Sequence, residues 1–249
     1  MLENSVFKTV PYTKLTSTPI MQSFSSVSVI IVAGGKGKRM GSDTPKQFLD
    51  LVGKPLLYYS IKAFADTLKD VHIILVLPHG QLDKGSTLVK GMGISKQVSI
   101  IEGGDTRYAS VKAGLELVAN AQLVLVHDGA RPLVSPETIR RVYEGARVHG
   151  SAIPVIQVAD SIRQITGLGN RAISRDDLRI VQTPQAFSST ILKEAYKQPY
   201  RQSFTDDASV LEWQGNVVEL VLGERCNFKI TTPDDLMIAE IMLGSRMHS

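Results

Sequence analysis

The chain has 249 residues, with 28 Lys and Arg against 24 Asp and Glu and a formal net charge of +4. Its 43% apolar and 21% charged content is ordinary for a globular protein, which excludes collagen-like, low-complexity and wholly disordered readings. No apolar run approaches the roughly 18 residues a membrane span needs, and the single cysteine, Cys226, excludes an internal disulfide framework and a cysteine-based zinc site and suits a reducing, cytoplasmic setting.

Residues 1–26 are polar and Ser/Thr-rich, carry Pro11 and Pro19, and lack the apolar stretch of a secretory signal; they read as a flexible extension. Lys8 and Lys14 come without arginine, which disfavours a transit peptide. From Val27 the pattern changes. Val27-Ser-Val-Ile-Ile-Val-Ala33 is a β-branched run of the kind found in a strand buried on both faces. A glycine-rich stretch, Gly34 to Gly41, follows, and Pro55 to Leu68 reads as a helix. The next strand, His72 to Leu77, is stopped by Pro78, and a helix covers Leu82 to Lys90. Val98 to Ile101 is a short strand, Asp105 is placed to cap a helix through Val118, and Leu123 to Val126 is another apolar strand. Ser135 and Pro136 are N-cap and first residue of a helix through Val148.

Short apolar strands alternating with helices predict right-handed βαβ crossovers and a Rossmann-like, mostly parallel α/β sheet flanked by helices. Such sheets bind ligands beyond the carboxyl ends of their strands. Three loops fall there, Gly34–Lys46, Gly103–Arg107 and Asp128–Pro132, all rich in glycine or charge. After Gly150 the rhythm breaks. Ala152 to Ile156 is a strand whose Pro154 predicts an edge or bulge position. Within 157–179, Ser161 to Ile165 and Arg171 to Ser174 flank Thr-Gly-Leu-Gly-Asn and read as a β-hairpin arm. Its apolar surface is too small for it to fold alone, so a second subunit is the economical packing partner. Leu178–Val181, helices at Ser188–Tyr196 and Asp206–Trp213, strands at Val217–Leu222 and Phe228–Thr231, and a helix after Pro233 complete a single domain over 27–249.

The strongest local signal is Ala33-Gly-Gly-Lys-Gly-Lys-Arg-Met-Gly41, followed by Pro45-Lys-Gln47. Small residues let backbone N–H groups approach an anion, and Lys36, Lys38, Arg39 and Lys46 face only one acid, Asp43. This is a polyphosphate cradle or, more plainly, a flexible basic turn; its spacing fits neither a Walker P-loop nor a dinucleotide fingerprint. Gly103-Gly104-Asp105, with Arg107 and Ser110, suits base and ribose recognition, or a strand-to-helix turn capped by Asp105. His127-Asp128-Gly-Ala-Arg131 places a carboxylate at a strand end three residues from an arginine, which suits Mg²⁺ handling or a sugar hydroxyl, or an ion pair that shapes a turn. His127 reads as structural, and no second ligand stands at zinc spacing. Cys226 reads as a small buried hydrophobe, and Arg175 and Lys229 taken alone as solvated charges.

Together with Gln182-Thr-Pro-Gln185, Thr205-Asp-Asp-Ala-Ser209 and Asn227-x-Lys-Ile-Thr231, these motifs resemble the 2-C-methyl-D-erythritol 4-phosphate cytidylyltransferases, from about Val27 to near the C-terminus. The ribitol-5-phosphate cytidylyltransferases share most of them and are the alternative. The resemblance implies transfer of CMP from CTP to an alcohol phosphate with release of pyrophosphate. It implies that Arg39 and Lys46 stabilise the transferring phosphoryl group and that the backbone of Ala33, Gly34 and Gly35 holds the triphosphate. Gly104, Asp105, Arg107 and Ser110 would read cytosine and ribose, and Asp128 and Arg131 would lie between nucleotide and alcohol phosphate. Arg175 and Lys229 would hold the substrate phosphate, with Thr205 and Ser161 on the polyol. Mg²⁺ would be held mostly by the triphosphate, with Asp128 at most a weak ligand. The arm would cross a homodimer, so that Arg175 and Ser161 act in trans. Two loop positions depart from the family's common pattern, Gly34 and Gly129, where alanine is frequent; neither carries a charge. A nucleic-acid-binding module is disfavoured, because the basic residues cluster in one glycine loop without interleaved aromatics.

Overall fold

In the computed structural model, which describes residues 26–34, 44–167 and 169–247, β1 (Val27–Val32) lies near the middle of an eight-stranded sheet. Consecutive strand residues point to opposite faces, and both faces of β1 are apolar. Val29 and Ile31 pack with Leu57, Ile61 and Phe64 in one layer, and Ile30 packs with Ile74, Val111 and Val124 in the other. A strand of this kind is stable only with cover on both sides, as in a parallel α/β sheet.

The first half is regular. α1 (Leu56–Thr67), β4 (His72–Leu77), α2 (Leu82–Gly91), β5 (Val98–Glu102), α3 (Arg107–Glu116), β6 (Leu123–Asp128) and α4 (Pro136–His149) follow the expected order. A 3₁₀ turn at Lys46–Phe48 and a short hairpin, β2 (Asp50–Leu51) with β3 (Lys54–Pro55), precede α1. β1 pairs in parallel with β4 on one side and β6 on the other, and β4 pairs with β5. The connections therefore run one way from β1 to β5 and reverse at β6, making the β1/β6 boundary a topological switch point, where sheets of this class bind ligands. Val32 and Asp128, the last residues of those strands, are register partners.

The second half is less regular. β7 (Ser151–Gln157) pairs antiparallel with β10 (Arg179–Val181) and β11 (Gln185–Ser188) on one side and parallel with β12 (Glu219–Leu222) on the other. Pro154 thus lies in an interior strand, against the edge expectation. Its carbonyl accepts from Gln182 N–H at 2.8 Å where β10 gives way to β11, so its missing donor falls at a gap in the pairing. β8 (Ile162–Thr166) and β9 (Gly169–Ile173) form a separate two-stranded sheet, the expected hairpin. α5 (Ser189–Ala195), α6 (Asp207–Glu212) and α7 (Pro233–Met247) complete the chain. The expected strand at Phe228–Thr231 does not form. That segment runs past the sheet's end, and Ile230 N–H donates to Ala130 O of the loop after β6. Leu51, Leu56, Leu133 and Ile230 meet Ala239 and Leu243 of α7 in a third core cluster that fixes this segment. None of the described helices is long and apolar enough to cross a membrane. Of the expected extension at 1–26, only Ser26 is among the described residues.

Candidate active site

The site is built where β1 and β6 end. Asp128 is the last residue of β6 and is buried. Its carboxylate faces three cations. Arg107 Nε lies 3.3 Å from Oδ1, while Lys229 Nζ at 3.0 Å and Arg131 Nε at 3.4 Å share Oδ2. Burial acts to raise the carboxyl pKa; Arg107, Lys229 and Arg131 outweigh it and hold the group well below the usual carboxylate range. Asp128 N–H donates to Thr183 Oγ1 at 3.0 Å, and Arg131 Nη1 donates to Asn227 O at 2.9 Å. Lys46, in the 3₁₀ turn, reaches the same region, where its Nζ donates to Ile230 O at 3.2 Å, next to Lys229. Lys46, Arg107, Asp128, Arg131 and Lys229 therefore converge from separate stretches of chain.

Arg107 has a second and stronger partner. Its Nη1 and Nη2 donate to the two oxygens of Asp207 at 2.9 and 2.7 Å. Desolvation acts to lower the guanidinium pKa, but Asp207 and then Asp128 raise it well above the ordinary value. Arg131 shows the opposite outcome on the same carboxylate. Desolvation lowers its pKa and Asp128, shared at 3.4 Å, does not compensate. The difference is the second carboxylate. Asp207 was not singled out as a site residue from sequence, although it stands in the Thr205-Asp-Asp-Ala-Ser209 motif. Tyr196 and Gln185, which touch it, were equally missed.

The second glycine loop packs on β4 and the first turn of α3. Gly103 N–H donates to Leu77 O, and a Cβ added at Gly103 would come within 2.5 Å of Ser110 Oγ. At Gly104 it would meet Ala109 Cβ at 2.5 Å, so the backbone lies directly on the first turn of α3. Ser110 is buried; its hydroxyl donates to Thr106 O at 3.0 Å, and a Cβ on Gly34 would rest on it at 3.5 Å. Asp105 is exposed and is not the cap. Thr106 is the N-cap of α3, its Oγ1 accepting from Ala109 N–H at 3.0 Å. Ala33 N–H donates to Val76 O at 2.9 Å and is committed to the sheet. Gly35 and Arg39, with the rest of 35–43, lie outside the described residues.

Thr205 is exposed just before α6, its N–H donating to Ser209 Oγ at 3.1 Å. Ser161 and Arg175 are exposed on the arm, and Arg175 Nη1 donates to Ala159 O. His127 is structural. It is fully buried, bonded to Thr183 Oγ1 and Arg131 O and edge-on to Phe64, and burial pushes its pKa down to about 3. Cys226 is half-buried, its thiol 3.4 Å from Glu224, rather than the buried hydrophobe expected. Among the described residues no three His, Cys, Asp or Glu side chains form a group that could hold a metal. At Asp128 a Mg²⁺ ion would sit among three positive groups, so these residues do not fit a protein-held ion.

Comparison with known proteins bears on this site. A family model described as 2-C-methyl-D-erythritol 4-phosphate cytidylyltransferase (IspD) matches residues 27–245. A protein of that name from Phocaeicola vulgatus is 50% identical over 215 residues, covering 86% of this chain and 98% of the relative. One from Clostridium botulinum is 42% identical over 224 residues, covering 88% and 99%. The crystal structure of the Thermus thermophilus protein of that name matches with a TM-score of 0.70 at 36% identity, over 87% of this chain and 98% of that one. Fold, site and relatives together define a nucleotidyltransferase, specifically a cytidylyltransferase. The chain belongs to the 2-C-methyl-D-erythritol 4-phosphate cytidylyltransferase family.

Proposed function

We infer that the chain transfers CMP from CTP to 2-C-methyl-D-erythritol 4-phosphate, giving 4-diphosphocytidyl-2-C-methyl-D-erythritol and pyrophosphate. The observation that carries this is the convergence of Arg107, Arg131 and Lys229 on Asp128 at the switch point of the sheet, with Lys46 bonded to Ile230 O beside Lys229. An oxygen of the alcohol phosphate attacks the α-phosphorus of CTP in line. The bond from that phosphorus to the bridging oxygen breaks, and pyrophosphate leaves. Charge develops on phosphoryl oxygens, so the protein's contribution is positioning and electrostatic stabilisation.

Lys46 and Arg39 stabilise the phosphoryl group in the transition state. Gly34 and Gly35 bring backbone close to the triphosphate; Ala33 lines the turn, since its N–H is held by Val76. Gly104 and Asp105 present the base and ribose subsite, with Ser110 beneath it and Arg107 tying α3 to Asp128. Asp128 keeps Lys229 and Arg131 oriented before any phosphate arrives, which lowers the reorganisation the reaction demands. Lys229 and Arg175 hold the alcohol phosphate, and Thr205 and Ser161 contact the polyol. A magnesium ion bound with CTP would be held by the triphosphate rather than by these residues, and would supply charge neutralisation there. The arm reaches the partner of a homodimer, so that Arg175 and Ser161 serve its site, and the enzyme works in the cytoplasm.

Pyrophosphate release from CTP, measured with each alcohol phosphate, tests the reading. Turnover with methylerythritol phosphate and little with ribitol 5-phosphate is expected; the reverse preference would move the chain to the alternative. The ribitol reading is not favoured, because the family model and relatives carry the methylerythritol name. Turnover with neither, together with salt-dependent oligonucleotide binding, would return the nucleic-acid reading.

A further inference from the structure

Asp207 is fully buried, and its surroundings are built around it. Besides the two-point contact from Arg107, the Tyr196 hydroxyl donates to Oδ1 at 2.6 Å. Gln185 Oε1 accepts from the backbone N–H groups of Asp207 and Ala208, both at 3.1 Å, and its Nε2 donates to Asp206 Oδ2 at 2.8 Å. Tyr196 is itself pinned. Its ring stacks on that of Tyr108, with centroids 4.7 Å apart, and its carbonyl accepts from the Tyr108 hydroxyl at 3.0 Å.

A guanidinium is a rigid plane with its N–H groups in fixed directions. Once both Nη atoms are docked on Asp207, the direction of Nε is set, and it meets Asp128 Oδ1 at 3.3 Å. The other Asp128 oxygen is shared by Lys229 and Arg131. The rotation of the Asp207 carboxylate therefore governs how Asp128 is divided among three cations. The backbone of Asp207 is fixed by Gln185, but on Oδ1 the donor that fixes rotation independently of Arg107 is the Tyr196 hydroxyl.

We propose that Tyr196 is a positioning residue for cytidylyl transfer: its hydroxyl sets Asp207, Asp207 aims Arg107, and Arg107 sets the Asp128–Lys229 pair. The relay rests on the reading of the Asp128 cluster as the reaction site. Tyr196 touches neither substrate nor reacting atoms; it acts through two carboxylates and one arginine.

Tyr196→Phe removes one oxygen and keeps the ring, so the stack on Tyr108 and the fold survive. Losing a hydrogen bond to a charged group in this relay lowers kcat about tenfold, with KM for CTP unchanged within about twofold. The decisive readout is a double-mutant cycle. In an Arg107→Lys background, which removes the planar fork, Tyr196→Phe produces no further loss of kcat. Asp207→Glu, which keeps the charge, serves as a second background with the same expectation. Unchanged kcat in Tyr196→Phe overturns the proposal, as does the same proportional loss in all backgrounds, which is what a tyrosine serving only the fold would give. Wild-type protein under the same conditions separates the two levels. If it releases no pyrophosphate from CTP and methylerythritol phosphate, the reading of the site falls and the relay with it. If it does and the cycle is additive, the relay alone falls.

Discussion

The arginines of the Asp128 cluster and those of the arm are the same residue type in opposite circumstances. Arg107 and Arg131 are largely buried, and the carboxylates they meet come from β6 and α6. Arg163 and Arg171 lie on exposed strands and pair across the hairpin with Asn170 and Gln164. Ile165, on the same hairpin, is 79% exposed. The cluster is complete within one chain, because its charges were desolvated and paired as the sheet and helices packed. Among the described residues no such layer covers the arm, whose two strands pair with each other. Buried charge costs free energy unless its partners are in place, so the cluster is fixed by folding. An exposed hairpin of this size is marginal alone, which leaves its arginines available to another surface.

The largest expected effect falls on the cluster side. Lys46→Ala lowers kcat by about two orders of magnitude or more while circular dichroism and melting temperature stay near wild type, because the lost charge acts mainly in the transition state. Near-normal turnover would remove Lys46 from the chemistry. The arm gives the next effect. Arg175→Ala lowers kcat/KM about 10- to 100-fold, the loss expected for a charge-assisted contact to phosphate. Mixing this variant with Lys46→Ala then restores partial activity, since one hybrid site has both wild-type residues. With subunit exchange verified, no recovery would place the arm's contribution within its own chain.

A smaller effect lies behind the cluster. His127 stays neutral in the fold, with its pKa pushed down to about 3, whereas in the unfolded chain it titrates near 6.5. As pH falls below that value the unfolded state binds the proton and the folded state does not. The stability from this group is therefore whole above about pH 6.5 and declines toward pH 3, by about 1.4 kcal/mol per pH unit. Urea unfolding between about pH 7 and 5 measures the slope, and His127→Gln flattens it while lowering stability at neutral pH. A variant with the wild-type slope would assign the proton elsewhere. The smallest effect separates two neighbours. Thr106→Ala costs about 1 kcal/mol through loss of the α3 N-cap, whereas Asp105→Ala leaves thermal stability unchanged. Equal losses would contradict the capping geometry.

The regular half of the fold was legible because a doubly covered strand must be largely apolar, as Val27 to Val32 is but for Ser28 and His72 to Leu77 is but for His72. Asp128 and Arg131 were legible as a pair because they stand three residues apart after such a strand. The Asp207 contact was not, since it joins residues 100 apart and Asp207 is one of two adjacent aspartates. Phe228 to Thr231 has a strand's composition, but Ile230 N–H is taken by Ala130 O in the loop after β6, a contact 100 residues apart that sequence alone does not reveal. Asp105 and Thr106 are both good capping types; the choice between them depends on helical phase, settled by Gly103 and Gly104 packing on α3.

The most direct test of the central claim is a crystal structure of the protein with CTP and a non-reacting analogue of methylerythritol phosphate. The phosphates of CTP should lie against Lys46 and the loop after β1, the base against Gly104 and Asp105, and the alcohol phosphate against Lys229. Nucleotide density away from the carboxyl ends of β1 and β6, with Lys229 still on Asp128 and no phosphate near it, would contradict the assignment.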